Sequence, residues 1–312
     1  MSDEPRRRPP RLTKADAAGP VRVSLNFASR LFDALETRWE RLLARRTLAT
    51  VLVAVFLGAL ALIEAQRRGW LLPPLAGRVA TNHFVAVAVA FTLLLYIEIL
   101  ALVFALAQSV ANSVGKQFEL FSLILLRKAF LQLGNVGEPL EWHRVAGAVP
   151  GMLADIGGAL AVFVLVGIYY RIQRHQPITK DEEEQARFVA SKKAVSLILL
   201  AAFLLLAVLD ARQFLLGRPT FDFFEVFFTI LVFSDVLLVL IALGYSYGYH
   251  VVFRNSGFAA ATVMLRLALT APIYINALLG LGAATFAVAL SLAYNSFAPL
   301  LRERAPAMRM AP

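Results

Sequence analysis

The chain has 312 residues, of which 59% are hydrophobic and 17% charged, and its mean hydropathy is +0.68. That balance excludes an ordinary soluble domain and fits a chain whose solvent is a bilayer. The formal net charge of +10 argues for no nucleic-acid partner, because the basic residues gather in tails and loops between apolar runs, and the lack of cysteine excludes disulfides, thiol nucleophiles and thiolate metal sites.

Residues 1–23 mix charge with Pro and Gly and predict a disordered cytoplasmic tail. Arg6, Arg7 and Arg8 lead into a polar stretch instead of an apolar run, so no cleavable signal peptide is expected. Over residues 24–46 the apolar Ala28, Leu31, Phe32, Leu35, Trp39, Leu42 and Leu43 recur at helical spacing between charged residues. This predicts an amphipathic helix lying on the cytoplasmic headgroups, with packing against another protein as the alternative.

A membrane-crossing helix needs about 20 mostly apolar residues. Candidate runs lie near 47–66, 82–113, 117–133, 150–171, 194–211, 222–252, 256–271 and 275–297. The expected class is therefore an all-α integral membrane protein of about eight transmembrane helices plus the N-terminal amphipathic helix. Runs 117–133 and 256–271 are short and each carries charge; without them six crossings remain. Orientation favours eight. With a cytoplasmic N-terminus, eight crossings place Lys116, Arg171, Arg174, Lys180, Arg187, Lys192, Lys193, Arg254 and the C-terminal Arg302, Arg304 and Arg309 on the inner side. Six would put the most basic internal loop outside, against the positive-inside bias. The abundance of Ala, Leu and Arg points to a bacterial source, hence the inner membrane with both termini cytoplasmic.

The two halves answer one another. Arg45-Arg46 leads through Phe56 to Glu64, as Lys192-Lys193 leads through Phe203 to Asp210. Glu98 and Asp235 stand in the next long runs, with turns expected at Lys116 and Arg254, and Arg127 and Arg266 stand in the runs after those. Gly157 with Ala161 and Gly280 with Ala284 offer close helix contact in the last runs. The expected organisation is a transmembrane repeat over 47–171, a charged cytoplasmic linker over 172–193, a second repeat over 194–297 and a cytoplasmic tail over 298–312. Four crossings per half would give both halves the same orientation, with a shared site near the midplane between them.

Ionisable groups deep in lipid are expensive and tend to be functional, so Glu98, Asp235, Arg127 and Arg266 are the candidate translocation or buried-charge residues. With a turn at Lys116, Glu98 and Arg127 differ in depth by roughly 7 Å, which an Arg side chain can close. Asp235 and Arg266 differ by about 10 Å or more, so a direct pair is not expected there. Glu64 and Asp210 sit near outer helix ends beside Arg67 and Arg212, where interfacial pairing is the ordinary role. Asn276 belongs to an outer turn with Thr270 and Pro272 and is a further candidate for a polar lining. Asp155, beside Gly157 and Gly158, is assigned no catalytic part.

The four histidines have no metal-ligand spacing, and no catalytic motif or phosphate-cradling loop is present, so neither a cofactor nor an enzymatic role is expected. Arg127 and Arg266 stand too nearly alone for a voltage sensor. The Phe233-Ser234-Asp235 triplet lacks the nearby basic residue of the potassium channels that carry it. The leading expectation is passage of a proton, ion or small polar solute between the two halves. The alternatives are a membrane sensor or assembly scaffold and, third, an intramembrane enzyme. Expected partners are the bilayer, the translocated species and a second copy in a homo-oligomer.

Overall fold

A computed structural model describes residues 14–42, 45–71, 79–134, 136, 138, 141–173, 182–216, 222–245 and 249–308. Residues 1–13 of the expected N-terminal tail and residues 174–181 of the expected linker lie outside them, as do residues 309–312. All the regular structure among the described residues is helical. In chain order the helices are α1 (Lys14–Leu42), α2 (Arg45–Arg67), α3 (Phe84–Gln108), α4 (Val110–Gly134), the short α5 (Trp142–Val145), α6 (Val149–Ile172), α7 (Glu182–Leu215), α8 (Phe223–Leu243), α9 (Tyr249–Thr270) and α10 (Ile275–Met308).

Six of them, α2, α3, α6, α7, α8 and α10, are long and apolar enough to cross a membrane. They also leave large apolar side chains exposed, among them Leu57, Phe163, Ile198, Phe233 and Leu278. Apolar patches of that extent are a liability in water and the ordinary condition of a surface facing lipid. The chain is thus an all-α membrane protein. Of the other long helices, α4 and α9 are lined by protein: α4 touches α3, α6, α9 and α10, and α9 touches α4, α8 and α10. Their charged residues face neighbouring helices, where partners can be supplied.

The core divides into two clusters that share α4. Val114, Phe118, Phe121 and Leu125 of α4 pack with α6, α9 and α10, while Leu120 and Ile124 of the same helix pack with α3, α7 and α8. Each cluster therefore mixes helices from both halves of the sequence, in contrast to two bundles meeting at a single seam. Within each half, helices adjacent in sequence pack together: α2 with α3, α3 with α4 and α4 with α6, then α7 with α8, α8 with α9 and α9 with α10. Close approach is set by glycine at Gly280, as expected, and at Gly158 in place of the expected Gly157. A Cβ on Gly157 would meet nothing within 4 Å, whereas one on Gly158 would lie 2.7 Å from the Ala277 side chain, and one on Gly280 would overlap the Phe121 ring.

Two further expectations change. Helix α7 begins at Glu182, so the acidic end of the linker is its first turn. Helix α1 begins at Lys14 and packs on α7 and the end of α3 instead of lying with its apolar face wholly on headgroups. Phe32, at 1% exposure, and Trp39 flank Phe104 with ring centroids 5.5 and 5.8 Å away, against Ala107, Leu197 and Leu200. Lys193 Nζ meets Asp33 Oδ1 at 2.6 Å, and Gln108 donates to Glu36 at 2.8 Å. Phe27 and Leu31 stay exposed on the other side of α1. This end of the bundle is called the α1 end below and the opposite one the far end.

Candidate functional site

The position of one turn decides which charges can meet. The reversal between α3 and α4 is at Ser109, whose backbone is extended (φ −154°, ψ 134°), and not at Lys116, which lies inside α4 and pairs with Glu119 at 2.5 Å. Moving the turn carries Arg127 past Glu98, to a depth about 10 Å beyond it, just under two helical turns. The expected Glu98–Arg127 pair is accordingly absent. Arg127 stands level with Thr92 of α3, donates from Nε to its Oγ1 at 2.9 Å, and lays its guanidinium 5.7 Å from the Phe224 ring centroid. Glu98 is half-buried on α3, and the charges acting on it are Lys116 and Glu119.

The second pair is apart for a related reason. Helix α8 ends at Leu243 and α9 starts at Tyr249, so Arg254 also lies inside a helix. Asp235 then falls level with Gln117 of α4, counted from the α1 end of each helix. Gln117 Nε2 donates to Asp235 Oδ2 at 2.9 Å, both residues are buried, and Thr262 of α9, whose hydroxyl donates to the Ala259 carbonyl oxygen, is a second polar side chain beside the same carboxylate. Arg266 lies near the far end of α9, level with the first turn of α8. It donates to the Glu225 carbonyl oxygen and, at 2.9 Å, to Thr229 Oγ1, with Phe228 beneath its guanidinium.

What brings Arg127 and Arg266 together is a cavity of about 400 Å³ at the far end, between α4, α8 and α9. Lys128, Asp222 and Glu225 share its wall with Leu95, Ile124, Phe224, Phe228 and Leu269. Lys128 reaches across to the Leu269 carbonyl oxygen at 3.2 Å, and Asp222 caps α8 by accepting from the Glu225 amide at 3.0 Å. Among the described residues no carboxylate comes within 4 Å of the three cations. A second cavity of about 20 Å³ shares Ile124, Phe228, Arg266 and Leu269 with the first and continues to Gln117 and Thr262, the partners of Asp235. A cavity needs roughly 10–15 Å³ to hold one water, so this inner space has room for about one. Arg127 and Arg266 stand equally far from the first residues of their helices, Val110 and Tyr249.

A further buried carboxylate carried no functional assignment from the sequence. Asp155 of α6 has no solvent exposure, accepts from Gln132 Nε2 of α4 at 2.7 Å and from Asn276 Nδ2 of α10 at 3.3 Å, and so joins three helices. Gly151 leaves the space Gln132 fills, since a Cβ there would lie 2.6 Å from its Oε1. The available signal was the amide side chains: Gln117 and Gln132 interrupt apolar stretches of α4 and each serves a buried acid. Asn276 is itself buried at 1% exposure, and the turn before it rests on Tyr274, with φ at 74°.

The remaining candidates stand apart from the cavity. Glu64 pairs with Arg68 at 2.7 Å and faces His83 at 3.5 Å, while Arg67 turns to Glu138 at 2.7 Å. Asp210 makes no ion pair with Arg212 among the described residues, and its Oδ1 is buried without a hydrogen-bond partner. No group of three His, Cys, Asp or Glu among the described residues is arranged to hold a metal ion. Compared with protein-family models, curated proteins and solved structures, the chain matches none of them.

Proposed function

We propose that this membrane protein passes an ion or small polar solute along the seam between α4, α8 and α9, with the far-end cavity as vestibule and Asp235 as the inner exchangeable group. The supporting observation is the succession of two adjoining cavities from Arg127 and Arg266 to the Gln117–Asp235 hydrogen bond. Water and charge deep in a bundle are tolerated where they line such a path, and α4 and α9, two long helices outside the group of six apolar enough to cross a membrane, flank it.

In this proposal α4 and α9 cross the membrane with the six more apolar helices, giving eight crossings. The α1 end, which carries Lys116, Arg171, Lys192, Lys193 and Arg254, faces the cytoplasm of a bacterial inner membrane. The halves descend from one four-helix unit, a view supported by the matched positions of Arg127 and Arg266 and by the shared order of packing. The α3–α7 contact has no counterpart of similar extent between α2 and α8 among the described residues, so the copies have diverged at that edge.

One observation favours a second reading, that of a scaffold. Asp155 is held from both sides by amides on neighbouring helices, the arrangement of a lock. The two readings separate in proteoliposomes loaded with a pH-sensitive dye or a radiolabelled ion and given a proton, sodium or phosphate gradient. Transport predicts that the wild-type protein dissipates at least one gradient and that Asp235→Asn, folded to the same extent, does not. An intact barrier to all three, or unaltered flux in Asp235→Asn, would remove Asp235 from any such path.

A further inference from the structure

Resting on the vestibule reading above, we infer that the far-end cavity binds a singly charged oxyanion, a carboxylate or phosphodiester group attached to a compact apolar body. Three cations, Arg127, Lys128 and Arg266, face the space, and two carboxylates, Asp222 and Glu225, share its wall. The balance leaves one positive charge for a ligand to neutralise, which favours a monoanion over a dianion.

The cations are also chemically free to act. Arg127 commits its Nε to Thr92, and Arg266 commits one Nη to the Glu225 carbonyl and Thr229, so each guanidinium keeps other N–H donors. A guanidinium edge presents paired donors that match the two oxygens of a carboxylate or phosphate. Among the described residues neither Arg is tied to a carboxylate, although each carries the desolvation burden of a partly buried charge. An incoming anion would relieve that burden.

Beside the charged groups the wall is mostly apolar. Leu95, Ile124, Phe224, Phe228 and Leu269, with Thr270, suit an apolar body better than a sugar-like or peptide-like one, and about 400 Å³ lies within the usual 300–1,000 Å³ of small-ligand pockets. Such chemistry has two sources: a soluble monoanion such as hexanoate or dibutyl phosphate, or the headgroup of an anionic phospholipid at the far-end surface.

The purified full chain in neutral detergent, titrated calorimetrically with hexanoate and dibutyl phosphate, should show saturable binding, with succinate and inorganic phosphate weaker. Arg127→Gln and Arg266→Gln should each weaken it by about ten-fold or more, the scale of one lost charged hydrogen-bonding group. Arg127→Lys, which keeps the charge and with it the fold, should restore part of the affinity. Equal affinity in wild type and both Gln variants, or no saturable binding of either monoanion, overturns the inference. In nanodiscs, phosphatidylglycerol that competes with hexanoate where phosphatidylcholine does not identifies a lipid headgroup as occupant; hexanoate affinity indifferent to the lipid identifies a soluble one. Anion binding without flux of any ion would sink the transport proposal and leave this inference standing. Proton or sodium flux without anion binding would do the reverse.

Discussion

Replacing Gln117 and Asp235 by Leu, singly and together, probes the polar contact on which the inner end of the path depends. The Gln117–Asp235 bond is 2.9 Å long with both residues at most 9% exposed, so neither partner has bulk water to fall back on. Gln117→Leu strands the carboxylate and should cost about 1–3 kcal/mol, the penalty for leaving a buried polar group unpaired. Asp235→Leu strands only a neutral amide and should fall near the lower end of the same roughly 1–3 kcal/mol range. The double variant puts two apolar side chains in apposition and should recover part of the sum, giving a coupling of about 1 kcal/mol; interhelical hydrogen bonds in membranes fall at about 0.6–2 kcal/mol. The assay is reversible unfolding in mixed micelles by added sodium dodecyl sulfate, followed by circular dichroism. Single effects that add to within about 0.5 kcal/mol would show that the two residues do not interact and would refute the depth reasoning behind the site. Function then discriminates further, because a scaffold should survive the double change and a transporter should not.

Four other outcomes follow from the packing and the far-end loops. Gly280→Ala pushes a methyl group into the buried Phe121 ring and should destabilise by about 1–3 kcal/mol, whereas Gly157→Ala meets open space and should be neutral or mildly stabilising. The same micelle unfolding assay ranks the two, and an equal loss would refute the assigned packing. Phe32→Ala removes the anchor of α1 on Phe104 and should weaken docking on the order of 3 kcal/mol; hydrogen exchange should rise over residues 25–41 without a matching rise in α4. Uniform acceleration would mean that α1 is part of the global fold. At the far end, hydrogen bonds from the His83 side chain and then its backbone amide, with the nearby Arg67, hold the Glu138 carboxyl below its ordinary pKa of 4.5. A depressed carboxylate stabilises the fold above its unfolded pKa and loses that contribution as pH falls through the folded value. Exchange at His83 and its neighbours should therefore rise below about pH 4.5, and Glu138→Gln should remove that dependence.

The helical segments were legible because apolar length survives any error at the ends. The run 117–133 and its partner 256–271 were found as separate helices despite their charges. Turn placement was less legible. Asn112, Ser113 and Lys116 form a polar patch that invites a turn, yet Val110–Gly134 is continuous helix. Ser113 and Gln117 are buried against neighbouring helices, and their polarity reports protein packing instead of chain reversal. Misplacing that turn by two helical turns is enough to pair Arg127 with Glu98 on paper and with Thr92 in the molecule. The wide separation expected for Asp235 and Arg266 agrees with the structure in size but not in order: counted from Leu243 and Tyr249, Arg266 lies about 13 Å deeper than Asp235, whereas a turn at Arg254 would put Asp235 deeper. Asp155 went unassigned for a different reason: an acid one turn into an apolar helix resembles an interfacial residue until the amides of Gln132 and Asn276, distant in sequence, are seen to close on it.

The most direct measurement uses the natural lack of cysteine. Thr262→Cys places one thiol beside Asp235 at the inner cavity, and sealed proteoliposomes of known orientation can be treated from the far face with anionic or cationic methanethiosulfonate reagents. Modification from that face, faster for the anionic reagent because Arg127, Lys128 and Arg266 line its approach, is the predicted result. A thiol that stays unmodified from the far face, or reacts only from the α1 face, would contradict a path running from this cavity to Asp235.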